Sequence, residues 1–310
     1  MTGPAKRVRI AVAVCTYKRN AELAVLLRAL VACAERIKDR AVVGVAITDD
    51  TAAGEARSVA EGAAGWFELG LEYRVSGKQN ISLARNMAIE TAMGMADWVA
   101  MTDDDCEPPV HWLEALLDAQ RQSAANAVTG RMVRRVPAGS PRWLTEEPFL
   151  ELGVEDPPDG SAMDMAATFN SMISTDWLRR HPHIRFDPAY GVIGGEDMVF
   201  YRAARAEGLE IRFVADAIVY ENEPPARATL GYQLYAYFWH GNSACLTLRE
   251  RGARRGRMLV HAGASLVRAV GRPLGRIMHG ETPQLRYALA MVLHALGKLI
   301  GVFDIRIAHR

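Results

Sequence analysis

The stretch at residues 97–105 constrains the fold of this chain more than any other. It reads Asp-Trp-Val-Ala-Met-Thr-Asp-Asp-Asp, an apolar run that ends in three consecutive carboxylates. The Cys-Glu-Pro-Pro sequence that follows prevents the strand from continuing, because proline has no backbone N–H to donate to a sheet. In open α/β sheets, ligands bind beyond the carboxyl ends of the strands. The stretch therefore predicts a strand that leads into a ligand site.

The three carboxylates also indicate what binds there. Adjacent anions repel one another, so we expect a cation among them. Mg²⁺ or Mn²⁺ suits this position, since both ions prefer oxygen ligands and often share them with substrate phosphates. The alternative is a solvated acidic turn, and the motifs in the rest of the chain argue against it.

Strand and helix patterns alternate around this stretch. Apolar, β-rich runs that are typical of buried strands occur at 9–14, 42–47 and 71–75. Helical patterns occur between and after them, at 23–31, 51–64, 81–93 and 110–122. We therefore predict an α/β fold with a parallel, right-handed sheet over the first 120 residues. The first loop has neither a G-x-G-x-x-G sequence nor a P-loop, which argues against a dehydrogenase or a P-loop NTPase.

The pattern is less regular after residue 120. Further strands are predicted at 127–136, 168–174, 211–214 and 217–220, and a helix at 197–207 ends before Gly208. The segment 137–160 is too long for a simple connection, so we expect a functional lid or binding loop there. Beyond residue 226, helical patterns at 233–248, 258–272 and 284–303 surround a basic, glycine-interrupted segment at 249–257.

Composition and cysteine spacing narrow the classes of protein. The net charge of +1 gives no global basic field, so we expect no nucleic-acid partner. The four cysteines lie far apart without a C-x-x-C pair, which argues against a zinc site and a disulfide framework and fits a reducing, cytoplasmic compartment. We do not expect residues 1–9 to be a signal peptide. No run of 18 uncharged apolar residues occurs, so we expect no membrane-spanning helix.

Five motifs occur in the order found in a known family. They are Val-Ala-Val-Cys-Thr-Tyr-Lys-Arg at 12–19, Ile-Thr-Asp-Asp at 47–50, Ala-Arg-Asn at 84–86, the aspartate triplet at 103–105, and Gly-Gly-Glu-Asp at 194–197. In this order the chain resembles the family-2 inverting glycosyltransferases of the GT-A fold, and in particular bacterial exopolysaccharide glucosyltransferases of the succinoglycan type. The resemblance covers roughly residues 8–245.

The resemblance implies a division of the chain. Residues 1–225 would form the GT-A catalytic domain, with a Rossmann-like, mainly parallel nucleotide-sugar-binding half at 1–107. An acceptor half would follow at 108–225, and a C-terminal helical extension at 226–310.

The resemblance also implies which residues bind the donor, a UDP-sugar. Thr16, Tyr17 and Arg19 follow the first strand, where the family holds the base and diphosphate; the alternative is a capped loop with an exposed arginine. Asp49 corresponds to the carboxylate that accepts a hydrogen bond from the uracil ring. Arg85 would face the base or the diphosphate, or else be an ordinary surface arginine.

The aspartate triplet would then hold the metal ion, Mn²⁺ or Mg²⁺. Asp103 and Asp105 form the D-x-D motif, in which Asp105 ligates the metal directly and Asp103 holds the ribose or the metal. Asp104 lies between them in the donor site. Glu221 stands where relatives place a histidine, and it would serve as a third oxygen ligand or pair with an arginine such as Arg227.

The resemblance further implies that catalysis and acceptor binding occur around the Gly-Gly-Glu-Asp motif. Asp197 is the predicted catalytic base, since one carboxylate must deprotonate the acceptor hydroxyl in an inverting displacement. Its alternative role is that of an acid at a helix N-terminus. Glu196 would orient the loop or the acceptor. Trp143 and Trp239 would stack on sugar faces in the acceptor site, although large aromatics are also common in cores.

Three functional classes remain open. The first is a metal-dependent glycosyltransferase that moves a sugar to a hydroxyl of a saccharide or a lipid-linked glycan. The second is a sugar nucleotidyltransferase, which would need a glycine-rich phosphate loop that residues 15–20 lack. The third is an inactive nucleotide-sugar- or glycan-binding module, which would be expected to have lost Asp49, Asp105 or Asp197.

The C-terminal segment has two interpretations. The run 284–303 is more apolar than a helix with one solvated face requires, and eight arginines lie upstream at 249–276. These arginines could attract anionic headgroups, which favours peripheral attachment to the cytoplasmic face of the inner membrane. The alternative is a helix pair that packs on the catalytic domain or on a second subunit in a homodimer.

Overall fold

The computed structural model describes residues 7–151, 156–192, 194–250 and 252–307. Parts of four predictions lie outside the described residues: the first six residues of the 1–9 segment, 152–155 of the predicted loop, Arg251 of the basic segment, and the last three residues of the C-terminal extension. The described chain divides into two compact units. The first comprises Met1–Arg135, Glu155–Gly191 and Glu196–Asn222, and the second comprises Val136–Val154, Val192–Gly195 and Glu223–Arg310.

The first unit begins with the predicted alternation of strands and helices. Its elements are β1 (Val8–Thr16), α1 (Asn20–Arg36), β2 (Ala41–Asp49), α2 (Arg57–Gly62), β3 (Leu71–Val75), α3 (Ile81–Met95) and β4 (Trp98–Met101). The strands pair in parallel, with β1 between β2 and β4 and with β3 beside β2. The predicted parallel sheet is therefore confirmed for these four strands.

The rest of the first unit extends this sheet with strands of mixed direction. Its elements are β5 (Cys106–Glu107), α4 (Trp112–Ser123), β6 (Ala127–Arg135), β7 (Ser171–Ser174), α6 (Thr175–Arg180), α7 (Glu196–Ala206) and β8 (Ile211–Asn222). The eight strands lie in the order β3-β2-β1-β4-β7-β6-β8-β5. β7 is antiparallel to both β4 and β6, whereas β6 and β8 are parallel.

Both faces of the sheet are covered, as the continuous apolar runs predict. Val12 and Val14 of β1 point into one core cluster together with Leu23 and Leu27 of α1. Ala13 lies in the opposite cluster. Successive side chains of a strand point to opposite faces, so only a strand buried on both sides is apolar at every position.

Helix α2 is shorter than the predicted helix at 51–64. Residues 51–56 form a turn in which Gly54 has a φ of +66°. The Asp49 carboxylate fixes this turn by accepting hydrogen bonds from the backbone N–H groups of Thr51 at 2.8 Å and Ala56 at 2.7 Å. In a helix begun at residue 51 the Ala56 N–H would bond to the carbonyl of residue 52, but here it bonds to Asp49, and the positive φ of Gly54 also interrupts the helical path, so the helix begins only at Arg57.

The strands predicted at 211–214 and 217–220 are one continuous strand, β8. Its register with β6 shifts at Gly130, where an added Cβ would lie 1.9 Å from the carbonyl oxygen of Ala217. The Asn170 amide donates to that same oxygen at 2.7 Å and to the Arg131 carbonyl at 2.9 Å. Asn170 thus belongs to a buried link between strands, and β7 begins at Ser171 rather than at residue 168.

The second unit is mainly helical. Three long helices, α8 (Leu230–Glu250), α9 (Arg255–Met278) and α10 (Leu285–Val302), match and extend the helical patterns predicted after residue 226. Glycines let α8 and α10 approach closely: a Cβ on Gly297 would lie 2.0 Å from the Phe238 carbonyl oxygen, and one on Gly241 would lie 1.9 Å from that of His294. By length and composition α10 could cross a membrane, contrary to our expectation of no such helix, but 39% of it is buried by the rest of the chain.

The described part of the predicted lid or binding loop up to residue 151 packs into the core of the second unit, whereas residues 156–160 belong to the first unit. The part up to residue 151 contains a short helix, α5 (Trp143–Glu146), and the buried Phe149, whose ring makes edge-to-face contacts with Tyr237 and Tyr287. Glu147 accepts a hydrogen bond from the backbone N–H of Tyr287 at 2.7 Å, near the start of α10. A carboxylate is favourable at that helix end, where N–H groups lack partners. The predicted domain bounds, 1–225 and 226–310, stay a prediction.

Candidate active site

The candidate site lies at the carboxyl edge of the parallel strands in the first unit. β1 and β2 end in register at Thr16 and Asp49, and β4 lies on the other side of β1. The aspartate triplet follows β4 in a turn that closes with a hydrogen bond of 3.1 Å from the Cys106 N–H to the Asp103 carbonyl. Because parallel strands end at one edge, the segments after β1, β2 and β4 are brought together there.

A guanidinium group provides the cation that the triplet requires. Nη1 of Arg19, from the loop after β1, lies 2.9 Å from Oδ1 of Asp104 and 2.7 Å from Oδ2 of Asp105. The carboxylate of Asp104 is nearly inaccessible, and burial raises its pKa to about 6, helped by the charge of Asp105 and opposed by Arg19. Arg19 therefore acts as the internal counter-ion of two of the three aspartates.

A second arginine connects the triplet with the Gly-Gly-Glu-Asp motif. Arg85, from the first turns of α3, lies 3.1 Å from Asp103 and pairs with Glu196 at the start of α7. Burial alone would lower the pKa of Arg85, but Asp103 and Glu196 raise it above its ordinary value, so the guanidinium is charged. Two of the predicted site motifs, separated by about a hundred residues, thus meet at this arginine.

Asp197 lies next to this pair and has an unusual pKa. Burial and the neighbouring Glu196 raise it to about 6, while Arg85 opposes the shift. Its Oδ1 atom accepts a hydrogen bond of 2.7 Å from the N–H of Met198 in the first turn of α7. A carboxyl group with a pKa near 6 accepts a proton more readily than an ordinary aspartate and is still mostly ionised at pH 7.

Asp49 and Asp50 hold loops in place. The Asp49 carboxylate accepts four hydrogen bonds, two from Thr51 and one each from Ala56 and the Tyr73 hydroxyl. Burial would raise its pKa, but these donors outweigh burial and lower it. An ionised carboxylate has about four acceptor positions. Asp49 therefore has no acceptor position left for a uracil ring in this arrangement, although the sequence predicts that contact.

Asp50 is a site residue that the sequence analysis missed. Its carboxylate accepts hydrogen bonds from the Ser76 hydroxyl and from the backbone N–H groups of residues 78–80, including that of Asn80 at 2.7 Å. Asn80 is in turn the N-cap of α3 and accepts from the Leu83 N–H at 3.1 Å. Asp50 thereby anchors the loop that leads to Arg85. Its position directly after Asp49 was the only signal in the sequence.

Glu221 lies beside an arginine, Arg134 rather than the Arg227 named as an example, and its role as a metal ligand stays a prediction. Its carboxylate lies 3.7 Å from Nε of Arg134 on the neighbouring strand β6. Arg227, the predicted partner, lies 3.8 Å from Glu223 instead. The backbone of Glu221 pairs with Cys106, directly after the triplet, so it stays close to Asp105 in the sheet.

The donor set of the triplet suits a hard divalent ion. It offers carboxylate oxygens only, and the Arg19 guanidinium already lies between two of them. Within the described ranges, no group of three or more histidine, cysteine, aspartate or glutamate side chains is arranged to hold a metal. Mg²⁺ commonly binds through one or two carboxylates and completes its shell with water and substrate phosphate. The residues therefore fit an ion that is shared with a diphosphate.

The remaining predicted residues fall into two groups. Thr16 is buried at the end of β1, and Tyr17 is 39% exposed beside it, with the Lys18 ammonium 5.3 Å from its ring centroid. Trp143 and Trp239 belong to the second unit, where Trp143 packs edge-to-face on Phe149 at 5.0 Å. Trp143 is thus part of a core cluster. The predicted sugar-stacking role of Trp239 stays a prediction.

Comparison with known proteins identifies the family. The family model described as glycosyl transferase family 2 matches residues 11–181, which include the strands and the triplet of the candidate site. The chain belongs to glycosyl transferase family 2. It is a glycosyltransferase, as the order of its motifs predicted.

A curated relative shares almost the whole length of this glycosyltransferase. The succinoglycan biosynthesis protein ExoM of Rhizobium meliloti (strain 1021) is 30% identical over 310 residues, covering 97% of this chain and 96% of ExoM. The predicted resemblance to succinoglycan-type enzymes is confirmed.

Solved structures share the fold at low sequence identity. The mannosyltransferase PcManGT from Pyrobaculum calidifontis, in complex with GDP-Man and Mn²⁺, is 14% identical with a TM-score of 0.62, covering 97% of this chain and 89% of that one. TarS 1–349 of S. aureus, in complex with UDP-GlcNAc, is 13% identical with a TM-score of 0.55, covering 94% and 91%. The chain covers 40% of the longer TarS structure. These likenesses confirm the predicted GT-A fold with C-terminal helices.

Proposed function

We propose that this family-2 enzyme transfers a hexose from a UDP-sugar to a hydroxyl of a saccharide or lipid-linked glycan, with inversion and with a divalent metal. The observation that carries the proposal is the partly buried cluster in which Arg85 joins Asp103 to Glu196, with Asp197 beside it. It puts a carboxyl group with base character next to an acidic, metal-compatible edge of the sheet. Related folds bind such ligands: TarS is in complex with UDP-GlcNAc, and PcManGT is in complex with GDP-Man and Mn²⁺. These complexes support the proposed nucleotide-sugar donor and the divalent metal.

In the proposed reaction, Asp197 takes the proton of the acceptor hydroxyl. The hydroxyl oxygen attacks the anomeric carbon as the bond from that carbon to the diphosphate oxygen breaks. The attack from the opposite side inverts the configuration. One carboxylate is sufficient, because a diphosphate leaves without needing a proton. Arg85 keeps Glu196 and Asp103 in place beside this step.

The charge on the leaving diphosphate must be balanced. Asp105 and Asp103 would hold the divalent ion, which would neutralise the charge that develops on the diphosphate. Arg19 is the protein's own cation at this position, and it is long enough to turn from Asp105 toward a phosphate. Arginine is well suited to that exchange, since its planar guanidinium binds carboxylates and phosphates alike.

The experiment that tests this proposal is a donor panel. The full chain is incubated with UDP-, GDP- and dTDP-sugars, with and without Mn²⁺, and release of the nucleoside diphosphate is measured. We expect release of UDP from a UDP-sugar, and we expect this release to require Mn²⁺. If only a GDP-sugar releases its nucleoside diphosphate, the proposed UDP donor is wrong. In a separate incubation with a nucleoside triphosphate and a sugar phosphate, release of pyrophosphate would identify a nucleotidyltransferase.

A further inference from the structure

Helix α9 in the second unit has three distinct sides. Its buried side consists of small residues and one methionine: Met258, Ala262, Ser265 and Ala269. With 100° per residue, a second side contains Leu259, Val260, Val267, Val270, Leu274 and Ile277, all of which are exposed. The third side contains Arg257, Arg268 and Arg272, which lie within about one-sixth of a turn of one another.

The exposed apolar side is unusual for a helix that faces water. Val260 is 70% exposed, Val267 is 72% and Leu274 is 62%. Single exposed apolar residues are common, but a continuous row along five turns marks a surface that binds something apolar. A helix at a water interface would be expected to carry polar side chains here.

The charge of α9 indicates what binds to its apolar side. The helix contains five arginines and no aspartate or glutamate. An apolar side with a basic flank is the pattern of helices that lie in the headgroup region of a bilayer. A second copy of the chain would bring the same arginines without any acid on α9 to pair with them, whereas anionic lipid headgroups would neutralise them.

The neighbouring helix α10 is less suitable than α9 for binding a membrane. The sequence-based expectation of membrane contact combined the apolar run 284–303 with the arginines at 249–276. However, α10 buries Tyr287, Ala290 and Ala295 and packs closely on α8 through Gly297. Part of its apolar surface is therefore buried inside the second unit, while Leu285, Leu289 and Leu296 are exposed. The exposed apolar residues of α9 are not buried against any of the described parts of the chain.

We propose that α9 attaches the protein peripherally to an anionic phospholipid bilayer. Its apolar side enters the boundary between headgroups and acyl chains, and its arginines contact the headgroup phosphates. This site is independent of the donor and of the sugar transferred, so it stands even if the donor is not a UDP-sugar.

Vesicle flotation of the full chain tests this proposal. The vesicles contain either phosphatidylcholine alone or phosphatidylcholine with about a third phosphatidylglycerol. Two variants address the two sides of α9: Val267→Ser with Val270→Ser and Leu274→Ser, and Arg257→Gln with Arg268→Gln. All five positions are exposed, so the fold should be retained, which circular dichroism checks. The matched charge control is Arg28→Gln with Arg121→Gln, two exposed arginines of the first unit.

We expect the unchanged chain to float with anionic vesicles and much less with neutral ones. The arginine variant should bind about 25-fold more weakly, since each of the two basic residues that it lacks contributes about fivefold. The serine variant should bind at least about a hundredfold more weakly, while the charge control should bind normally. Recovery of the unchanged chain in the soluble fraction with both vesicle types would overturn the proposal. So would a dimer in light scattering that the serine variant abolishes while vesicle binding is unaffected.

Discussion

At the scale of single residues, Asp197 separates donor binding from chemistry. We expect Asp197→Asn to bind the donor nearly normally and to lose about 10²- to 10⁴-fold in turnover, which is the usual contribution of a general base. The control is Asp176→Asn, which changes an exposed aspartate in the first turn of α6. Calorimetry gives donor affinity and product release gives turnover. If donor binding collapses while the rate per bound complex is unchanged, Asp197 has a structural role.

The raised pKa of Asp197 predicts a dependence on pH. A base with a pKa of about 6 is protonated and inactive below that value, so kcat/KM for the acceptor at saturating donor should rise with pH and level off above about pH 7. The stability effect has the opposite sign. The folded pKa exceeds the unfolded value, so stability from this group is present below about pH 4 and lost as the pH rises through 6. As the pH rises from 4 to 7, the free energy of unfolding of Asp197→Asn should therefore increase relative to that of the unchanged chain.

Asp105 and Arg19 should have opposite effects on metal binding. Asp105→Ala removes a predicted metal ligand and should weaken Mn²⁺-dependent UDP binding, whereas Asp39→Ala, an exposed aspartate, should not. Arg19→Gln removes the guanidinium that lies 2.7 Å from Asp105, so Mn²⁺ alone should bind more tightly than to the unchanged chain. Calorimetry measures the UDP affinity in Mn²⁺, and electron paramagnetic resonance of free Mn²⁺ measures the affinity for the metal. Unchanged UDP affinity in Asp105→Ala would remove that residue from the metal site.

At the scale of elements, the close packing of α8 and α10 predicts a sharp contrast between glycines. Gly297→Ala would place a Cβ 2.0 Å from the Phe238 carbonyl oxygen, and overpacking of this kind typically costs about 1–3 kcal/mol. A Cβ on Gly263 of α9 would meet no atom within 4 Å, so Gly263→Ala should stabilise its helix by about 0.5–1 kcal/mol. Urea denaturation of both variants gives the comparison. Equal stabilities would mean that α10 is not packed on α8 as described.

Local patterns predicted the elements whose causes are local. The spacing of Leu23, Leu26, Leu27 and Leu30 predicts α1, and all four are fully buried. The shift in register at Gly130 depends on the Ala217 carbonyl, 87 residues away in the chain, so no local pattern could show it. The same is true of the segment at 136–151, whose Phe149 packs on Tyr237 of α8 and Tyr287 of α10.

At the scale of the whole molecule, the order of the motifs was more informative than any one of them. The triplet predicted a cation, but the sequence could not show that Arg19 provides one internally or that Arg85 joins Asp103 to Glu196, because these pairs form only when distant strand ends meet. Asp49 illustrates the opposite case. The resemblance assigned it to the base, and only the folded chain shows that three of its acceptor positions serve the turn after β2 and the fourth accepts from Tyr73 of β3.

The division into two units predicts where the donor will act. All residues of the Arg19 and Arg85 clusters belong to the first unit, and α9 and α10 belong to the second. UDP with Mn²⁺ should therefore slow backbone hydrogen exchange at the loop after β1, the start of α3 and the turn after β4. Exchange in α9 and α10 should stay unchanged, because binding protects only the structure that it stabilises. Asp105→Ala provides the control, since it should abolish the protection at the same ligand concentration. Protection confined to α9 and α10 would place the donor away from the triplet and would contradict the site proposed here.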